Sequence, residues 1–68
     1  MNIMDCVEII KKLLDERGWS QYRLAKEADL SQSTISSIML RGSTPTVKTL
    51  ERCCRAFDIT IAEFFSMK

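Results

Sequence analysis

The sequence predicts an all-α domain of five short helices. Apolar residues recur at steps of three and four along most of the chain, the spacing that places them on one side of a helix. Serine, threonine and glycine stand where such helices would begin and end, and no segment carries the signals of a strand. A length of 68 residues fits one small domain, so residues 1–68 are predicted to fold as a single unit.

The first predicted helix starts near Ile3 and ends near Arg17, where Gly18 can adopt the left-handed conformation that closes a helix. Its inward residues follow steps of four, three and four: Ile3, Val7, Ile10 and Leu14. The second helix is about two turns long and begins after Ser20, whose hydroxyl can accept a hydrogen bond from a free backbone amide. Its apolar side consists of Leu24, Ala25 and Ala28, and the two alanines are small enough to let another helix come close.

A tight turn and a third helix follow. Asp29 is predicted to end the second helix, since aspartate tolerates the left-handed conformation better than most residues. Ser31 is the next cap, Ile35 and Ile38 point inward, and Gly42 ends the third helix.

Two more helices complete the predicted domain. Thr46 caps the fourth, which ends at Asp58. Its predicted inward residues are Val47, Leu50, Cys54 and Phe57. Thr60 and Glu63 have the spacing of a capping box at the start of the fifth helix. The apolar residues of that helix are Ile61, Phe64 and Phe65.

Composition excludes several classes of function. The chain has no histidine, which removes histidine-dependent catalysis and the common zinc sites that contain histidine. Cys6, Cys53 and Cys54 are an odd number of thiols without metal-binding spacing, so buried, reduced cysteines are expected. No apolar run approaches the length of a membrane span, and a cytoplasmic protein is predicted. A net charge of +1 gives little support for a polyanionic partner, so that case depends on local placement of residues.

The outer face of the third helix has an unusual composition for a solvated surface. It carries short, uncharged hydrogen-bonding side chains instead of lysine and glutamate: Gln32, Ser33, Ser36 and Ser37. Such groups fit a major groove about 12 Å wide, where glutamine can pair with adenine and serine with several bases. Two short helices joined by a tight turn, the second with a polar outer face, are typical of a helix-turn-helix motif. A serine-rich helix that is merely soluble is the alternative.

Four segments together resemble the Cro and phage-repressor type of helix-turn-helix regulators, the XRE family. They are "RGWSQYRLA" at 17–25, "LSQSTIS" at 30–36, "RGSTPTVKTL" at 41–50 and "CRAFDITIAEFF" at 54–65. The resemblance implies a five-helix, lambda-repressor-like DNA-binding domain with its helix-turn-helix at helices 2 and 3. It further implies a sequence-specific regulator, expected to be a repressor, that binds double-stranded DNA as a homodimer, with no catalysis, cofactor, membrane association or small-molecule substrate.

The resemblance and the side-chain chemistry assign candidate roles. In relatives the residue matching Gln21 binds a DNA phosphate, and those matching Gln32, Ser33 and Ser37 read bases, with Ser36 added here from its position. Phosphate contacts are expected from Gln21, Arg23, Ser31, Thr34, Arg41, Ser43, Thr44 and Lys48. Candidate dimer contacts are Phe64, Phe65 and Met67, for which burial in the monomer is the alternative. A solvated face is the alternative for the charged residues, among them Arg23, Lys26, Arg52 and Arg55.

The sequence departs from the family pattern at two places. Asp29 stands where the family usually has glycine in the turn, and Met39 and Leu40 stand where many members have an acid before Arg-Gly. The sequence also leaves two alternative functions open. One is a protein-interaction or antitoxin-like module that keeps the fold without reading DNA, and the other is a thiol sensor using Cys53 and Cys54.

Overall fold

The computed structural model describes residues 4–42 and 45–67, with side chains from Cys6 onward. Five helices occupy these ranges, and the described residues form no strand. The helices are α1 (Met4–Arg17), α2 (Gln21–Glu27), α3 (Gln32–Arg41), α4 (Val47–Phe57) and α5 (Ile61–Ser66). The predicted all-α class is therefore confirmed, while the predicted start at Ile3 lies outside the described residues.

Each of the helices α2 to α5 begins at a hydroxyl residue that accepts a hydrogen bond from the backbone amide three residues later. These caps are Ser20, Ser31, Thr46 and Thr60, all with extended backbone. At α5 the Glu63 carboxylate also accepts the Thr60 amide at 2.8 Å, which completes the predicted capping box. Such a cap contributes about 1 kcal/mol, a substantial share for helices as short as these. All four predicted caps are confirmed.

Left-handed residues close four of the helices. Gly18, Asp29, Gly42 and Asp58 have φ values of 65°, 56°, 65° and 60°. After α2, the Leu30 amide donates to the Ala25 carbonyl at 2.9 Å, which satisfies a carbonyl that the helix leaves free. No atom lies within 4 Å of a β-carbon built on Gly18, so glycine is favoured there by its backbone conformation rather than by crowding. The four predicted helix ends are confirmed.

The core receives side chains from every helix. Leu24 of α2, Ile35 of α3, Phe57 of α4 and Phe64 of α5 are almost completely buried. The buried side of α1 is wider than predicted, because residues on both sides of the predicted stripe also pack inward: Cys6, Ile9 and Leu13. The predicted apolar side of α2 is confirmed, with Leu24, Ala25 and Ala28 all buried. α2 and α3 pack directly on each other, and the small side chains of Ala25 and Ala28 allow this close approach.

The prediction for Val47 is wrong. Val47 is the first residue of α4 and its side chain is 70% exposed. Periodicity identified the correct side of the helix, since Leu50, Cys54 and Phe57 are buried, but it carries no information on how far along the axis the core extends. Cys53, which the predicted stripe omitted, is buried beside them.

The thiols of Cys53 and Cys54 are buried and form no disulfide, and Cys6 is buried as well. Burial raises the pKa of the Cys53 thiol from about 9 to about 11, and the neighbouring Cys54 adds to the shift. Burial also raises the pKa of Cys54. Because the thiolate is the reactive form, these positions favour structural over redox-active cysteines. None of the helices in the described ranges is both long and apolar enough to cross a bilayer.

Candidate nucleic-acid interface

The outer face of α3 is turned away from the core by two isoleucines. Ile35 and Ile38 retain only 1% and 5% of their exposure and pack inward. The predicted base-reading residues lie on the remaining surface of the helix: Gln32, Ser33 and Ser37 are exposed and Ser36 is half-buried. α3 contains no acidic residue, so its exposed surface carries no charged side chain before Arg41.

The first turn of α3 has two hydroxyls in contact. The Ser31 hydroxyl accepts the Thr34 amide at 3.1 Å, and the Ser31 and Thr34 side-chain oxygens are 2.8 Å apart. One of the two hydroxyl protons forms the hydrogen bond between these oxygens, so the second hydroxyl proton is available to a partner outside the pair. The free amides and positive end of the helix dipole are at the same place, so this turn favours a negatively charged group.

The first turn of α2 presents Gln21 and a restrained arginine. Gln21 is the first residue of the helix and is exposed. Arg23 donates from Nε to a Glu27 carboxylate oxygen at 2.8 Å, and its guanidinium lies 4.9 Å from the centre of the Trp19 ring. The charge of Arg23 is thus already paired, so a phosphate would have to compete with Glu27 for it.

A stack of rings and guanidinium groups fixes the connection between α1 and α2. Trp19 lies over Phe57 with ring centres 5.5 Å apart and planes inclined by 23°. The Arg17 guanidinium lies 5.1 Å from the centre of the Phe57 ring and donates to the Phe57 carbonyl at 2.8 Å. Together with Arg23, these contacts bind the start of α2 to the end of α4. The sequence predicted that Phe57 points inward but gave no sign of the contacts that Arg17 and Arg23 make with the rings.

Arg52 of α4 holds the turn between α2 and α3. Its Nη1 donates to the Asp29 carbonyl at 3.0 Å. Asp29 is the left-handed residue of that turn, at the position where the sequence departs from the family glycine. The sequence treated Arg52 as part of a solvated face, because a contact between residues 23 positions apart leaves no local pattern.

The remaining candidates lie around the connection from α3 to α4. Arg41 is the exposed last residue of α3, and Lys48 is the exposed second residue of α4. Ser43 and Thr44, also predicted to contact phosphate, lie outside the described residues. Among the described residues, no group of three histidine, cysteine, aspartate or glutamate side chains could hold a metal ion.

Charge is distributed unevenly along the chain. All nine carboxylate side chains lie outside residues 30–50, the segment that contains α3 and the start of α4. That segment carries Arg41 and Lys48 as its only charges. A chain with a net charge of +1 therefore has a segment free of acids, and this segment includes the exposed serines and glutamine of α3. Local placement, on which the case for a polyanionic partner depends, favours such a partner here.

α2 and α3 pack against each other, a tight turn joins them, and the second of the two helices has an exposed polar face. This arrangement defines a helix-turn-helix domain. A family model described as helix-turn-helix matches residues 10–64, and the chain belongs to that family, in its XRE type.

Curated relatives carry the same domain within longer chains. The HTH-type transcriptional regulator SutR of Escherichia coli strain K12 is 33% identical over 57 residues, covering 84% of this chain and 32% of SutR. The HTH-type transcriptional regulator PuuR, from the same strain and from Shigella flexneri, is 30% identical over 57 residues, which are 84% of this chain and 31% of PuuR. This chain therefore spans about a third of the length of these relatives.

Solved structures have the same fold over most of their length. The wild-type restriction-modification controller protein C.Esp1396I superposes with a TM-score of 0.85 at 29% identity, covering 96% of this chain and 83% of the controller. A mutant of that controller gives a TM-score of 0.86 at the same identity, with 82% of its chain covered. The five-helix lambda-repressor-like architecture is thus confirmed.

The Arg52 contact predicts a specific loss of stability. Arg52→Met keeps most of the aliphatic side chain but removes the donor to the Asp29 carbonyl, so we expect unfolding free energy to fall by about 1 kcal/mol. Hydrogen exchange of the amides from Leu30 to Thr34 should become faster, because the turn loses its long-range support. Arg55→Met, the same change at an exposed position of α4, is the matched control. Equal effects of the two substitutions on denaturation and exchange would contradict the assigned role.

Proposed function

We propose that this protein is a sequence-specific regulator of transcription that places α3 in the major groove of double-stranded DNA. The observation that carries this proposal is the exposed, uncharged polar face of α3 within a segment free of carboxylates. A helix facing water gains solubility from lysine and glutamate, whereas a helix in a groove needs short groups that reach base edges without repelling phosphates. The family and the names of its relatives support the same function.

The outer face of α3 supplies the base contacts in this proposal. Gln32 is the first residue of the helix, where a helix of this motif meets the base edges, and its amide can pair with the two polar groups of adenine. Serine hydroxyls both donate and accept, so they suit several bases. The proposed base-reading residues are Gln32, Ser33, Ser36 and Ser37.

The phosphate contacts surround this face. Gln21 and the Ser31–Thr34 pair lie at the starts of α2 and α3, where free amides favour an anion. Arg41 at the end of α3 and Lys48 near the start of α4 supply positive charge. The proposed phosphate-binding residues are Gln21, Arg23, Ser31, Thr34, Arg41, Ser43, Thr44 and Lys48. In this proposal the Arg23 guanidinium gives up its hydrogen bond to the Glu27 carboxylate and binds a phosphate oxygen instead.

The action of such a domain is binding rather than catalysis. A protein seated on DNA excludes others from the same segment, and repression is therefore the proposed outcome. The proposed location is the cytoplasm, because bacterial DNA lies there and the relatives of this chain are from bacteria. The protein-interaction module is the competing function, and the salt response described below separates the two.

We also propose that the protein acts as a homodimer. One small domain makes few contacts, and pairing two of them on adjacent half-sites supplies the missing affinity and selectivity. Phe64 is 0% exposed and belongs to the monomer core, so it cannot meet a partner in this conformation. Phe65 packs edge-on against Phe64 with ring centres 5.3 Å apart and is partly exposed, as is Met67. These two residues are the proposed dimer contacts.

The proposed function predicts a steep response to salt. Random duplexes should bind weakly, and the logarithm of their affinity should fall with the logarithm of salt concentration by about 0.9 for each phosphate contacted. Duplexes selected from a random library should bind at least about 10³-fold more tightly than random ones. Fluorescence polarisation at several salt concentrations measures both quantities. A flat salt response together with no enriched sequence would favour the protein-interaction module.

Two substitutions on α3 should separate base reading from phosphate binding. Gln32→Ala is expected to relax the preference at one base pair by about 5- to 150-fold, because a bidentate contact supplies that much discrimination. Arg41→Ala should weaken selected and random duplexes alike and reduce the salt slope by about 1. Each variant is the control for the other, with thermal denaturation to check folding. Equal losses on selected and random DNA for Gln32→Ala would refute its assignment.

The homodimer predicts a fixed spacing between half-sites. Two half-sites about 34 Å apart lie on one side of the duplex, so a full site should bind more tightly and more cooperatively than a single half-site. An insertion of about 5 base pairs rotates one half-site to the other side and should remove this gain. Titration of the three duplexes measures the effect. The same affinity for all three would indicate a monomer.

A further inference from the structure

Leu40 is the most exposed large apolar side chain among the described residues. It is 84% exposed, compared with 70% for Val47 and 61% for Tyr22. The other apolar residues of α3 contact the core: Ile35 and Ile38 are buried, and Met39 packs against them or their neighbours in the core. Leu40 therefore contributes nothing to the interior.

The register of α3 places Leu40 in line with the proposed base-reading serines. It follows Ser33 by seven residues, Ser36 by four and Ser37 by three, and these are the steps that keep side chains on one side of a helix. Seven residues span about 10 Å along the helix axis, which corresponds to about three base steps. The exposed face of α3 is thus polar in its first turns and apolar near its end.

An apolar residue at this point matches one feature of the major groove. Phosphates favour cations, and the neighbouring Arg41 already supplies one. Base edges otherwise present hydrogen-bonding groups, which leucine cannot use. The exception is the methyl group on carbon 5 of thymine, which projects into the major groove and is recognised by apolar contact. Leucine is also longer than serine, which suits the later turns of a helix whose first residues meet the base edges.

We propose that Leu40 determines specificity by contacting the 5-methyl group of a pyrimidine, about three base steps from the base that Ser33 contacts. This inference rests on the proposed function, because it requires α3 to lie in the major groove. Thymine and 5-methylcytosine both present this methyl group, and the experiment separates them.

The test replaces thymine by deoxyuridine, one position at a time, in a duplex selected by the wild-type protein. Deoxyuridine lacks only the methyl group, so wild-type affinity should fall about three- to fivefold at one position in each half-site. Leu40→Ala should bind the thymine duplex as weakly as the uridine duplex, and its ratio of the two affinities should be close to 1. Because the side chain is so exposed, the variant should keep the thermal stability of the wild type.

Val47→Ala is the matched control, since it truncates another exposed apolar residue outside α3. It should keep the wild-type preference for thymine over uridine. Duplexes with cytosine or 5-methylcytosine at the sensitive position identify the source of the methyl group: tighter binding to thymine than to 5-methylcytosine assigns thymine, and the reverse order assigns methylated cytosine.

Two results would overturn the proposal. In the first, the wild-type protein binds the thymine and uridine duplexes equally at every position. In the second, Leu40→Ala keeps the wild-type ratio of the two affinities. Either result, obtained with a duplex that the protein does select, leaves the proposed function standing and removes only the role of Leu40. Failure to select any duplex would instead reject the proposed function and this inference together.

Discussion

The rotation of α3 about its own axis is the constraint on which the interface depends. Ile35 and Ile38 are the two residues of this ten-residue helix that are fully buried, and burying each is worth about 2 kcal/mol. Turning the helix by one residue, about 100°, would move both into water and bring serines against the core without partners. Two isoleucines therefore decide which side chains face outward.

The position of α3 is set by contacts outside the helix. Buried Ala25 and Ala28 let α2 and α3 pack closely, and Arg52 binds the turn between them to α4. The stack of Trp19 on Phe57 fixes the beginning of α2 to the same helix. α4 thus supports the start of α2 and the turn before α3, which explains how a chain of 68 residues with a small core can hold two short helices in place.

Local signals made most of the fold predictable, and non-local contacts account for what was missed. Caps such as Ser31 and left-handed residues such as Gly18 act within a few residues, so the sequence alone identified the helix ends. The Arg52 contact with Asp29 joins distant residues, and no periodicity reports it. Val47 shows a different limit, since a helical pattern continues past the edge of the core. The roles of the exposed α3 residues remain proposals, because exposure is visible in the fold but a ligand is not.

Asp29 shows how a departure from the family pattern is accommodated. The left-handed backbone conformation costs a residue other than glycine about 1–2 kcal/mol, and it costs aspartate, such as Asp29, less than that. Glycine avoids this cost but loses more conformational entropy when the chain folds, by up to about 1 kcal/mol, so the two residues differ less than the strain alone indicates. Arg52 donates its hydrogen bond to the backbone carbonyl of Asp29, which glycine would also present, so this bond supports the turn without favouring either residue. It also restricts the turn that sets the direction of α3. Because Arg52 of α4 holds this turn, the geometry of the interface is coupled to the stability of the core.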